Sequence, residues 1–248
     1  MAKQKGILQL VGTLQGLNFY LRKGVPVVRV AGGGFNGKAI KTKPEMARVR
    51  ENSSEFGRVS KAKKLFRIGL HPFLKDVADV TLHGRLMRLF QAIKCFDTVS
   101  PRGQRQFANG LVTPEGRDLL LQFAITPKKA SQFLPGMLHF DAATATYTVR
   151  DLQMKNCSMP QGATGMQVCL GLLTLAFENE VAAFYTSEPV LLDASFTAST
   201  FSLTPTPLPT GTEVCLAVLQ TRYYQKVNGV VYPFNELGLQ GLEIVGVW

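Results

Sequence analysis

The sequence predicts an α+β fold: an N-terminal β-hairpin arm and a short helical segment, followed by an antiparallel β-sandwich. Three observations carry that expectation. Glycine-broken apolar segments occupy residues 1–43, apolar residues at spacings of three and four occupy 44–100, and alternating or β-branched runs between turn residues fill 101–248. The domain boundaries follow: an arm with a glycine joint over 1–43, a basic helical region over 44–100, and a sandwich domain over 101–248.

In the arm, Ile7–Val11, Leu17–Leu21 and Val25–Val30 read as short strands, the last two joined by a turn at Arg22-Lys23-Gly24. Gly32, Gly33, Gly34 and Gly37 make the run from Ala31 to Gly37 a flexible joint, the expected hinge of a docking arm. In the helical region, Thr42 and Glu45 stand in capping-box spacing with Pro44 in the first turn, so a helix begins here, and Gly57 is its expected stop. Further helices are expected over Ser60–Ile68 and Lys75–Phe96. In the second of these, Val77, Val80, Leu86, Leu89, Phe90 and Ile93 form a one-sided apolar stripe.

The sandwich is expected to use strands at Leu119–Ile125, Met137–Phe140, Ala145–Leu152, Val168–Phe177, Val181–Thr186, Ser195–Leu203, Val214–Val227, Val230–Phe234 and Leu242–Trp248. Asn228-Gly229, flanked by β-forming runs, is the strongest hairpin signal in the chain.

Charge is split along the sequence. Residues 1–130 hold 24 basic against eight acidic residues, +16, and residues 131–248 hold four against nine, −5. Such a field attracts polyanions, acidic surfaces or the opposite end of another copy. Arg48, Arg50, Arg58, Lys61, Lys63, Lys64 and Arg67 are the expected contact with a polyanion or an acidic partner. No apolar run approaches the roughly 18–20 residues that span a bilayer. The basic N-terminus leads into a stretch broken by Gly12, Thr13, Gln15 and Gly16, so no secretory signal peptide is expected, and the expected location is the cytoplasm or an assembled particle. Cys95, Cys157, Cys169 and Cys215 show no metal-ligand spacing and read as reduced thiols.

Catalytic signatures are weak. Gly32 to Lys38 matches the first seven positions of a phosphate-binding loop. However, Ala39 stands where a hydroxyl should meet Mg²⁺, and Pro44 lies where the helix should already run. His71, His83 and His139 are far apart in sequence, and Glu178 and Glu180 flank a turn at Asn179. Neither set forms an acid–base or nucleophile arrangement. The expectation is a protein that is not an enzyme, with no cofactor and no metal.

Gly16, Phe19 and Tyr20, the basic turn before Val27–Arg29, and Arg48-Val49-Arg50-Glu51-Asn52 together carry a resemblance. With the hairpin Tyr223-Tyr224-Gln225-Lys226-Val227-Asn228-Gly229, they resemble an uncharacterised family of bacterial hypothetical proteins, mostly from the Bacteroidota. The resemblance implies that both ends belong to one architectural unit and brings no established activity with it.

The function expected from these features is a structural subunit. It would assemble with copies of itself into a tube, filament, shell or phage-like particle through head-to-tail contacts and a docking N-terminal arm. The alternatives are a nucleic-acid-binding protein using the helical region, and a small-molecule or carbohydrate-binding module.

Overall fold

The computed structural model describes residues 2–4, 9–31, 37–208 and 214–248. The chain is α+β and divides into two compact units, residues 1–50 and 51–248.

The first unit is a four-stranded antiparallel sheet followed by a short helix. Strands β1 (Ala2–Lys3), β2 (Gly12–Leu14), β3 (Leu17–Arg22) and β4 (Val25–Val30) pair in the order β1-β4-β3-β2. The turn between β3 and β4 sits where it was expected. Lys23 and Gly24 have φ of 51° and 78°, the left-handed region that a two-residue hairpin loop of this hand requires. The expected strand Ile7–Val11 differs. Residues 5–8 lie outside the described ones, residues 9–11 are not in a strand, and pairing with β3 begins at Gly12.

The period of two sorts this sheet into an apolar face and a more polar one. The registers put Leu14, Leu17, Phe19, Leu21, Pro26, Val28 and Val30 on one face, with Thr13, Asn18, Tyr20, Arg22, Val25, Val27 and Arg29 on the other, where Val27 is buried. On the polar face the Arg29 guanidinium lies 5.6 Å from the centre of the Tyr20 ring. Helix α1 (Gly37–Thr42) and a 3₁₀ turn at Pro44–Met46 follow, so Gly37 opens a helix instead of serving in a joint. Gly32, Gly33 and Gly34 lie outside the described residues. The Arg50 guanidinium donates to the carbonyls of Ile40 at 2.6 Å and Lys43 at 2.9 Å, satisfying acceptors that the end of α1 leaves open.

The second unit is built on the part of helix α2 (Ala47–Gly69) from Glu51 onward, and the helix runs 23 residues without a break. The stop expected at Gly57 does not occur, and the two helices expected on either side of it are one. No neighbour approaches within 4 Å of where a Gly57 side chain would begin, so this glycine only weakens a helix that tertiary burial of Val59, Leu65 and Phe66 sustains. Gly57→Ala is therefore expected to raise stability by about 0.5–1 kcal/mol, read from denaturant midpoints.

Short helix α3 (His71–Leu74) leads to α4 (Leu82–Lys94), α5 (Phe107–Val112) and α6 (Pro114–Leu121). The stripe expected from Lys75 begins only at Leu82. Asp79 turns the chain before it by accepting from the Thr81 amide at 2.7 Å and from Arg85 at 2.5 Å, and Val80 is left outside, 96% exposed. The strand expected at Leu119–Ile125 is instead the end of α6 and the loop after it. Thr113 caps that helix, its hydroxyl accepting from the Gly116 amide at 3.1 Å with Pro114 at the first helical position.

The remaining chain forms two antiparallel sheets. The larger centres on two long strands, β7 (Gly165–Ala176) and β11 (Val214–Val227), paired over Val214↔Leu175 to Tyr224↔Gly165. Strands β8 (Val181–Thr186) and β9 (Val190–Asp193) pair with successive stretches of β7, and β12 (Val230–Pro233) and β13 (Gln240–Val247) with successive stretches of β11. The β11–β12 turn is Asn228-Gly229, with φ of 51° and 83°. The smaller sheet has the order β10 (Phe201–Leu203), β6 (Thr146–Arg150), β5 (Met137–Asp141). Of the strand expected over Ser195–Leu203, only the last three residues pair. Asp193 accepts from the Ser195 amide at 2.9 Å and hydroxyl at 2.5 Å, which turns the chain first.

The larger sheet is the middle layer. Along β7, Cys169, Leu173 and Leu175 pack with the helices, while Met166, Val168, Leu170 and Leu172 pack with the smaller sheet. This double burial explains why β7 and β11 read as near-continuous apolar runs. The helical layer is keyed by aromatic rings: Phe90 stacks on Phe107 at 4.0 Å and meets Phe66 edge-on at 5.5 Å. Each face of the middle sheet thus has its own core, and the two stacked sheets make the sandwich.

Candidate functional site

The seven basic residues expected to act together are dispersed. Arg48 and Arg50 belong to the N-terminal unit, where Arg50 closes α1. Arg58 donates to the Gly103 carbonyl at 2.7 Å, and Lys61 pairs with Glu180 at 3.0 Å on the surface. Lys63, Lys64 and Arg67, with Lys61, come together along one groove of the second unit, a space of about 890 Å³. Its other walls are Phe56, Gly57, Ser60, Ile68, His71 and His83.

Helical periodicity builds this groove. Positions 56, 60, 63, 64, 67, 68 and 71 recur at three and four along α2 and into α3, spanning roughly 18 Å between Phe56 and Ile68 at about 1.5 Å per residue. The opposite side of α2 serves the core through Val59 and Phe66. Phe56 and Ile68 remain exposed on the groove side, 56% and 58%. His83 arrives from the first turn of α4. His71 and His83 therefore share a site, although twelve residues separate them in sequence. The α2 period carried straight through Gly57 leads to His71, whereas His83 is brought in by the packing of α4.

The charge in the groove has one sign. Four cationic side chains and two imidazoles line it, with no carboxylate among the described lining residues. Lys63 is the unusual one, 5% exposed, its Nζ lying 3.2 Å and 3.3 Å from the two ring nitrogens of His83. Burial, and then the neighbouring Arg67 charge, push its pKa below the ordinary lysine value.

Below the groove, an acidic anchor on α2 fixes the loop of residues 100–106. The Glu55 carboxylate, 2% exposed, accepts from Lys94 at 2.5 Å, from Arg105 at 2.8 Å and 2.9 Å, and from the Gly103 amide at 2.8 Å. Glu51, one turn earlier, pairs with Arg102 at 3.0 Å. Asp97 accepts from the amides of Val99, Ser100 and Gln106 and from Asn109. These carboxylates hold the loop of residues 97–106 in place. In the sequence Glu51 and Glu55 stand out only as members of the segment Arg48–Gly57, and Asp97 does not stand out at all, because the Glu55 partner Arg105 lies 50 residues away.

Lys38, the residue in the position of a phosphate-loop lysine, lies within α1 just after Gly37, and Gly32, Gly33 and Gly34 lie outside the described residues. None of the four cysteines takes part in a disulfide, and among the described residues no cluster of three His, Cys, Asp or Glu side chains is placed to hold a metal ion. No helix among the described residues is long and apolar enough to cross a membrane. No protein family, curated protein or solved structure matches the chain.

Proposed function

We propose that this chain is a structural subunit without enzymatic activity that assembles with copies of itself, its N-terminal sheet docking on a neighbouring copy. The observation that carries this reading is the apolar face of that sheet. Leu14, Leu17, Leu21 and Val30 share it, exposed by 60%, 40%, 51% and 71%, with Phe19, Pro26 and Val28 between them. A sheet whose one face is entirely apolar is stable when a second layer covers it, and a contiguous exposed patch of this kind marks an interaction surface.

Charge favours a second copy as the occupant. Residues 1–50 carry ten basic residues against the single acid Glu45, +9, whereas residues 131–248 carry −5. Contact between unlike surfaces is heterologous, so it propagates from copy to copy into rings, tubes, filaments or shells. Apolar burial would hold the contact, and the opposed charges would set its orientation and rate.

The test uses the full chain and sedimentation across a concentration series, with negative-stain microscopy of the product. Phe19→Asp places a charge in the middle of the apolar face and is expected to raise the concentration needed for assembly at least about 100-fold. Thr13→Asp, on the polar face of the same sheet, is expected to change it much less. A full chain that stays monomeric at high concentration, or equal effects of the two variants, would overturn the proposal.

A further inference from the structure

The second unit buries two lysines, and their surroundings differ in one respect. Lys94, 7% exposed, has its counter-charge in place, with Nζ 2.5 Å from the Glu55 carboxylate. Lys63, 5% exposed, has none. Its hydrogen-bond partner is the His83 imidazole, and among the described residues no carboxylate pairs with it. The charge acting on it is that of Arg67, of the same sign and one helical turn away.

A buried ammonium without a counter-ion is costly, and folded proteins pair such groups or neutralise them. Here the remaining wall makes the cost larger, since Lys64, Arg67 and His71 add positive charge or donors to the same groove. Among the described residues Lys61 is the one cation there with a paired carboxylate, Glu180. An anion in the groove would supply what the protein omits at Lys63.

The geometry points to a phosphate site in this groove, with Lys63 Nζ as the buried donor and Arg67 and Lys64 as the outer donors to a phosphate group. Phosphate suits this set better than a single carboxylate does. It brings up to two negative charges and several acceptor oxygens, enough to engage a guanidinium fork and two ammonium groups together. The His83 ring, holding Lys63 in place from α4, is a positioning group. This inference is independent of the assembly proposed above, because every residue in it lies in the second unit.

The same chemistry has two sources, free phosphate and the phosphodiester backbone of a single-stranded nucleic acid. The backbone could run the roughly 18 Å from Phe56 to Ile68, with Phe56 offered to a base for stacking.

The test is thermal unfolding of the full chain with inorganic phosphate against sodium chloride of equal ionic strength, and in parallel with a single-stranded oligonucleotide. Phosphate is expected to raise the unfolding temperature saturably. Lys63→Met keeps the length of the side chain and removes its charge. It is expected to leave the anion-free protein at least as stable as the parent while weakening phosphate binding about 30-fold. A purely structural lysine would give the opposite, lower stability with no change in phosphate response. Arg67→Gln, at an exposed position where folding is not at stake, is expected to weaken binding about 5-fold. An oligonucleotide that binds more tightly than phosphate and loses affinity in the same variants identifies the backbone as the source; phosphate alone identifies the free ion. No response to either probe, or responses equal in the parent, Lys63→Met and Arg67→Gln, would overturn the site.

Discussion

Glu55→Gln is expected to destabilise the protein by about 3 kcal/mol, measured as a shift of the denaturant midpoint at neutral pH. Glutamine keeps the shape of the side chain but cannot neutralise Lys94 and Arg105, so two cations in contact with a 2%-exposed position lose the counter-charge they share. The ionisation of Glu55 leads to the same size of effect. The Arg105 hydrogen bonds, assisted by Lys94 and the Gly103 amide and opposed by burial, lower its pKa from 4.5 to about 2. A carboxyl group whose pKa is lower in the folded chain stabilises the fold fully above its unfolded value. That contribution fades as pH falls from about 4.5 through about 2, and at roughly 1.4 kcal/mol per unit it amounts to about 3 kcal/mol. The variant should therefore show a flatter loss of stability over this acid range than the parent. Asp97 should keep part of the slope in both proteins. Burial alone would raise its pKa, but hydrogen bonds from Ser100, Gln106 and Asn109 bring it down to about 2. An unchanged acid profile in Glu55→Gln would mean that the loop of residues 100–106 does not depend on this carboxylate.

Gly110→Ala is expected to cost about 3 kcal/mol or more and to loosen the packing of α4, α5 and α6 together. A methyl group at this position would begin 2.0 Å from the Ile93 carbonyl oxygen and 2.8 Å from its carbon. Both are backbone atoms of a helix whose Phe90 and Ile93 are fully buried, so the neighbour cannot swing aside as a flexible side chain could. The contact is relayed, because a side chain at Gly116 would start 2.0 Å from the Gly110 carbonyl oxygen in turn. Three helices thus stack backbone on backbone through two glycines. The contrast with Gly57 makes the prediction specific. The same substitution in the open middle of α2 is expected to stabilise, and only the environment differs. Equal effects at positions 57 and 110, in either direction, would show that helix propensity and not close approach governs both.

Features of the fold differ in how far the sequence makes them legible, for physical reasons. Turns defined by one or two residues were legible: Lys23-Gly24, after Arg22, and Asn228-Gly229 adopt left-handed conformations. Long strands were legible as well, since the β7 and β11 runs are too apolar and β-branched to be anything exposed. Leu119–Ile125 misled because a short apolar run has no period long enough to decide between helix and strand, and the Thr113 cap with Pro114 was the signal that carried the answer. Gly57 misled because a glycine ends a helix only when the chain gains by turning there, and burial on both sides of it favoured continuing.

The sequence by itself determined the α+β class, the order of most elements, the hairpin turn of the N-terminal sheet and the uneven distribution of charge. Those properties reside in residue identity and local spacing, where a period of two or 3.6 is already a statement about faces. Only the tertiary structure decided which charges act together. Arg58 and Lys61 are engaged by Gly103 and Glu180, far along the chain, whereas Lys63 is buried beside His83 with no acid among the described residues to answer it. Burial and counter-charge are set by what folds against a residue, and for Lys63 that neighbour comes from another helix twenty residues away.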